Sequence, residues 1–191
     1  PPLWRGVCSG VGPMNLFFRR LWVYLRAQFS SKKQPLTDVY SLNFRVWLTD
    51  QDMFLHMTNS RYLSFSDLAR LNMSIRTGIW TVLKQRKWTF DVLGQTRTIS
   101  RMLKSPQTFE IACQIEGWTD DEIAICHRFQ RSGKVHAEVN TLMQISDETG
   151  NPIAVADLLN ALNSQLSSPN LSEGFELLKQ SLPVTTPESS L

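Results

Sequence analysis

Leu42, Phe44, Val46 and Leu48 alternate with Ser41, Asn43, Arg45 and Trp47, the two-residue period of a half-buried strand. A loop over 50–59 follows. The period then changes: Phe65, Leu68, Ala69, Leu71 and Ile75 share one face of a helix predicted over 60–77. Thr58, Asn59 or Ser60 would cap it and Gly78 would end it. A short second helical turn is expected over 80–85. From Trp88 the period returns to two. One long β segment is expected over 88–103. Next come Phe109, Ile111, Cys113 and Ile115, then Ile123, Ile125, His127 and Phe129, then Val135 through Ile145 on every second position. The connections at 117–121 and 131–133 are short enough for hairpins, so these strands are read as antiparallel neighbours. A short helix over 155–162 and a weak one over 174–182 close the chain.

The predicted order is strand, long helix, then four meandering strands. One helix must cover one face of a strongly curved antiparallel sheet, or half of the apolar surface would stay in water. The fold class is therefore α+β, with a single long helix wrapped by the sheet. Residues 1–37 are read as a basic hydrophobic leader and linker, 38–163 as the folded domain and 164–191 as a tail. Residues 1–13 look irregular, and Met14 is a candidate start.

Residues 14–29 are apolar with Arg19, Arg20 and Arg26 set among them. The uncharged runs are far shorter than the ~20 residues needed to span a bilayer. Two readings stand: a helix lying in a membrane interface with arginines on anionic lipid, or a helix packed on the domain or a partner subunit. A polar linker with Lys32, Lys33 and Pro35 follows.

Composition narrows the classes. Hydrophobic residues are 42% and charged residues 19% of 191, which suits a globular body. The net charge of +3 hides an asymmetry. Residues 1–37 hold six basic groups and no acid, so the remainder is net negative and nucleic-acid binding by the body is disfavoured. Cys8, Cys113 and Cys126 are odd in number and widely spaced, and read as reduced thiols of an intracellular, cytoplasmic protein, with membrane association through residues 14–29 left open. No phosphate-loop, Rossmann or serine-hydrolase motif is present, and no Cys/His cluster has metal-ligand spacing.

The chemistry concentrates in Asp50-Gln51-Asp52-Met53-Phe54-Leu55-His56-Met57-Thr58-Asn59. Asp50, Asp52, His56 and Asn59 fall in ten residues at a helix start. Such a start offers unpaired backbone N–H groups and positive potential, which can polarise a carbonyl as an oxyanion hole does. A carboxylate beside it can attack that carbonyl or activate water. Asp52 is the candidate catalyst; its alternative role is to accept backbone N–H groups of the loop. Asp50 reads as a structural partner that fixes the turn. His56 is either a functional contact or a histidine hydrogen-bonded to the loop, and Asn59 either a helix cap or part of the catalytic set.

Asp50-x-Asp52, His56-Met57-x-Asn59-x-x-Tyr62 and Asp67-Leu68-Ala69-Arg70 resemble the signature of the 4-hydroxybenzoyl-CoA thioesterase-type hotdog proteins, in particular the thioesterase-like branch with D-x-D-x-x-x-H-M-N-N-x-R-Y-L. The basic hydrophobic leader, Gly117-Trp118 and Arg131-x-Gly133-Lys134 add to the likeness, which covers roughly residues 14–163. The resemblance implies a hotdog fold and hydrolysis of a fatty or aromatic acyl thioester of coenzyme A or an acyl carrier. It implies Asp52 as the carboxylate, the backbone N–H near Asn59 as the polarising group, and His56 in the place of a histidine used by the plant acyl-carrier branch. Tyr62, Phe54, Asp67, Arg97 and Arg101 are assigned to substrate binding, Arg97, Arg101 and Lys104 toward coenzyme A phosphates or a solvated sheet edge. Coenzyme A enters as part of the substrate, so no metal or bound cofactor is expected. A homodimer or tetramer with the channel between subunits is implied.

Two departures stand out. Phe54 occupies the place of the plant branch's catalytic asparagine, and Thr58 replaces the first Asn of the usual pair. The hotdog dehydratases fit less well, since their D-x-N-P-x-H needs Pro at Leu55 and His one residue later. The rival reading is a non-enzymatic hotdog that binds acyl chains or lipid at a membrane surface. Asp67 and Arg70, one helical turn apart, read as an ion pair or dimer contact, and His127 and His136 as structural.

Overall fold

The computed structural model describes residues 4–5, 13–29, 35–164, 166, 168, 175, 176, 178 and 179. Most of the expected irregular opening, Cys8, the Lys32–Lys33 pair and the end of the tail lie outside the described residues.

The elements run β1 (Trp4–Arg5), α1 (Pro13–Gln28), β2 (Tyr40–Arg45), a 3-10 turn (Leu48–Asp50), α2 (Asn59–Thr77), α3 (Ile79–Arg86), β3 (Thr89–Ile99), β4 (Thr108–Trp118), β5 (Glu122–Arg131), β6 (Lys134–Ser146), β7 (Pro152–Ile153) and α4 (Val155–Ala161). The sheet order is β1-β3-β6-β5-β4-β2, with β7 on β6. All pairings are antiparallel except β1 with β3. Register shifts at Val92/Gly94, Ile115/Gly117 and Phe129/Gln130 add twist to the three long pairings, as bulges do, and help the sheet curve around α2. This is the expected α+β hotdog architecture.

The two-residue period survives in β2, which buries Tyr40, Leu42 and Phe44 and exposes the residues between. Val46 is still buried, but Leu48 is not: the chain leaves the ladder into the 3-10 turn, and Leu48 is 76% exposed. The long β segment also ends early, at Ile99, because Ser100 and Arg101 both donate N–H to the His136 carbonyl and the chain turns away.

Helix α2 is buried on more faces than its apolar stripe predicts. Phe65, Leu68, Ala69 and Leu71 face the core, yet Arg61, Ser66, Arg70, Asn72 and Ser74 are buried as well. The sheet covers one side and α1 packs on another. Phe65, Phe109, Phe129 and Tyr62 meet at 5.1–5.9 Å in edge-on and stacked pairs, each worth about 0.5–1.5 kcal/mol beyond area burial. Gly78 ends α2 at φ +88, a conformation that glycine enters without the Cβ penalty, and starts α3.

Helix α1 uses one face against the domain. Arg19, Val23 and Ala27, spaced i, i+4, i+8, turn inward: Val23 and Ala27 are buried, and Arg19 lies 4.9 Å over the Phe65 ring. Helix α1 is thus packed on the domain through this face. On the opposite face of the sheet, Ala124, Cys126 and Leu142 are covered by Phe175 and Leu178 from the expected C-terminal helical segment.

Candidate active site

The loop between β2 and α2 is held at both ends by buried residues. At one end Asp50 has no exposed surface. Its carboxylate accepts two bonds from the Arg19 guanidinium, at 3.0 and 2.8 Å, and one from the Trp47 N–H at 2.9 Å. Arg61 Nε lies 3.4 Å away. The Asp50 carbonyl accepts the Thr58 N–H. At the other end Met57 is buried and donates its N–H to the Leu103 carbonyl at 2.8 Å. Asp50 is therefore a structural carboxylate, and its arginine partners offset the cost of burying it.

Between these anchors the chain closes on itself. Gln51 pairs with Met57, the Asp52 N–H donates to the His56 carbonyl, and the Leu55 N–H donates to the Asp52 carbonyl. The Gln51 side-chain amide also donates to the Leu55 carbonyl. Leu55 adopts φ +59, a left-handed conformation uncommon for a leucine, which the closure imposes. Asp52 Oδ1 accepts the N–H of Phe54 at 2.9 Å and of His56 at 3.2 Å. The side chain is exposed, with its orientation fixed by the loop and its outer face toward solvent.

Met53, Phe54 and Leu55 form the tip and are 87%, 72% and 64% exposed, three apolar side chains in a row beside a carboxylate. His56 is half-buried in the same loop. Thr58 takes the N-cap position of α2, so Asn59 is the first helical residue rather than the cap. The Thr58 side chain makes no capping bond; its hydroxyl meets that of Ser60. The first amides of α2 thus gain no side-chain acceptor from their cap; the Thr58 carbonyl takes the Arg61 N–H at 3.0 Å, and the amides before it lie at the positive end of the helix.

The remaining assigned residues scatter. Arg97 on β3 donates to the Asn59 carbonyl at 3.3 Å, which brings a cation to the start of α2. Arg101 is exposed on the loop after β3. Tyr62 is fully buried against Phe129, and its hydroxyl accepts the Leu103 N–H at 3.3 Å. It braces the β3–β4 connection, whose Leu103 also holds Met57, behind the loop. Asp67 lies two turns along α2, half-buried, and pairs with Arg70. Burial raises its pKa, with Arg70 and Arg20 pulling the other way.

His127 is buried, and its Nδ1 bonds the Val139 carbonyl at 3.0 Å. Burial, then Arg70, lowers its pKa to about 3, so it is a neutral core residue. Among the described residues no group of three or more His, Cys, Asp or Glu could hold a metal. A groove of about 310 Å³ at the β5–β6 turn, lined by Asn43, Thr108, Glu110, Gln130 and Arg131 among others, takes no residue from the Asp52 loop.

The reading from sequence missed that Arg19, outside the loop, completes it. The available sign was an arginine within an apolar helix and, across a linker, an aspartate in a turn.

Residues 46–167 match the family model of the thioesterase-like superfamily. The protein THEM6 of Danio rerio is 29% identical over 163 residues, covering 84% of this chain and 78% of the relative. Among solved structures, the probable thioesterase YbaW of Escherichia coli superposes with a TM-score of 0.61 at 18% identity, over 66% of this chain and 97% of that one. The DHNA-CoA thioesterase of Staphylococcus aureus superposes with a TM-score of 0.57 at 11% identity, over 68% and 98%. At such identities the superpositions speak for the fold.

Proposed function

The chain belongs to the thioesterase-like superfamily, and from that premise we propose that it hydrolyses a fatty or aromatic acyl thioester of coenzyme A or an acyl carrier. The observation that carries this reading is Asp52: an exposed carboxylate, oriented by the Phe54 and His56 amides, in the loop that leads into the first turn of α2. The thioester carbonyl oxygen would sit at that turn, where the amides near Asn59 stabilise negative charge. Asp52 would take a proton from water as that water attacks the carbonyl carbon, or attack the carbon itself. Collapse of the tetrahedral species breaks the C–S bond and the thiolate leaves: in the first case it takes the proton held by Asp52, and in the second it takes one from solvent and water then hydrolyses the mixed anhydride, which releases the acid and the free Asp52 carboxylate. Phe54 and its apolar neighbours would meet the acyl group, and Arg97 and Arg101 the phosphates of the carrier. Two chains would face each other across the loop, so that the exposed apolar tip is covered by the partner or by substrate.

The second reading is an acyl-binding module without turnover. It is favoured by the same Oδ1 atom, because two loop amides already occupy it as they would a purely structural carboxylate.

Asp52→Asn separates the two. Asparagine keeps an oxygen for the Phe54 and His56 amides, so the loop should hold, while the charge is lost. With a panel of acyl-CoAs, turnover should fall at least about a hundredfold, the scale of a lost general base, and the thermal transition should not move. A protein that retains acyl chains but cleaves no thioester, wild type included, is the binding module.

A further inference from the structure

We propose that the outer face of α1 docks the protein on an anionic lipid bilayer. The inference rests on the helix's own geometry and is independent of the proposed reaction. With 100° of rotation per residue, Phe17, Leu21, Leu25, Phe18, Phe29 and Trp22 fall in that order on an arc of about 140°. All six are exposed in part or in full, from 44% for Leu21 and Trp22 to 60% for Phe17, 64% for Phe18 and 82% for Phe29. The inward positions, Arg19, Val23 and Ala27, are already taken up by the domain. Trp22, at the border of the arc, also meets the Phe44 ring edge-on at 6.1 Å; the rest of the apolar arc is surplus to the fold, and it lies before residues 46–167, the part that matches the family.

Charge selects the occupant. The exposed Arg20 and Arg26 flank the arc, one on each side, and Arg26 lies 5.1 Å over the Trp22 ring at its border. Residues 1–37 contain no acid. A second copy packed helix-on-helix across this face would set Arg20 and Arg26 against themselves. A surface of anionic headgroups over acyl chains offers both what the arc and what the arginines lack. The helix cannot cross instead: at 16 residues it is about 24 Å long against a ~30 Å hydrocarbon core, and no helix among the described residues is long and apolar enough to span. It lies in the plane of the interface, with its buried side still gripping Asp50.

The test is sedimentation of the full chain with phosphatidylcholine vesicles, with and without about one-third phosphatidylserine. Wild type should pellet with the anionic vesicles, several-fold less with phosphatidylcholine alone, and less again as salt is raised. Phe17→Ser/Leu21→Ser/Leu25→Ser removes half of the arc without touching Arg19, Val23 or Ala27. It should lower the vesicle partition at least about tenfold, with the circular dichroism spectrum and melting curve unchanged. Wild type that stays in the supernatant with anionic vesicles overturns the proposal. So does a triple variant that binds as well as wild type. So does a triple variant whose only change is the loss of an oligomer in light scattering, which would assign the face to a second copy.

Discussion

Asp50 and Asp52 stand two residues apart and have opposite surroundings. One is sealed under Arg19 and Arg61; the other is exposed and held only by loop amides. That contrast was partly legible, because a carboxylate at a strand end tends to fix a turn. What could not be read was the partner, since Arg19 reaches Asp50 only through the tertiary placement of α1. Tyr62 shows the same limit. Its spacing from Asp52 identifies the motif, but only the position of Leu103 reveals that its hydroxyl faces the core. His127 yields a prediction at this scale. Its folded pKa, near 3, lies below the unfolded value of about 6.5. Above pH 6.5 the ring is neutral in both states and costs nothing. As pH falls from about 6.5 toward 3, the unfolded chain takes a proton that the folded ring refuses, so stability is lost across that window. This group adds a slope of up to about 1.4 kcal/mol per pH unit. Urea titrations at a series of pH values should show that slope in wild type and its reduction in His127→Gln. Equal slopes would mean that His127 is protonated in the fold.

At the scale of elements, periodicity located α2 and the strands well, because a sheet curved around one helix turns every second residue of a strand toward it; β5, covered on both faces, buries the residues between as well. It misjudged the burial of α2. Stripe reading assumes one wet face, and α1 covers part of that face. The boundaries slipped where hydrogen bonds outside a ladder took over, at Leu48 and at Ser100. The bond from α1 to the loop is the element-level feature with a measurable consequence. Arg19→Met would leave the Asp50 carboxylate buried with only Arg61 and the Trp47 N–H. Breaking a buried pair costs about 3–5 kcal/mol, and the remaining partners place this one near 3. Asp50→Ala should cost more, because it strands two arginines. Urea denaturation measures both losses, and hydrogen exchange should rise at the amides of Phe54, Leu55 and His56, which depend on the closed loop. An Arg19→Met protein as stable as wild type, with those amides still protected, would show that α1 only rests against the domain.

For the whole molecule, the sheet has two faces, and Cys113 and Cys126 report on one each. Cys113 lies under α2, 3.7 Å from the Met73 sulfur, and burial raises its pKa to about 12. Cys126 lies on the other face, with Ala124 and Leu142, beneath Phe175 and Leu178. Without that cover a small apolar patch of β5 and β6 would be open to water, so the C-terminal segment completes the fold rather than trailing from it. Its hold is local, however. Two apolar side chains on a patch of three, the exposed Lys179–Glu122 pair and the Trp118 N–H on the Ser168 hydroxyl are little to resist fraying, and such segments open with far less free energy than the global fold. Phe175→Ser should therefore free Cys126 without unfolding the core. Alkylation followed residue by residue in a mass spectrometer should show Cys126 modified at least about tenfold faster than in wild type, while Cys113 keeps its protection, because only global opening exposes it. If both thiols accelerate together, the C-terminal segment holds up the entire domain. If neither does, Cys126 is shielded by the sheet itself and the cover by Phe175 is incidental.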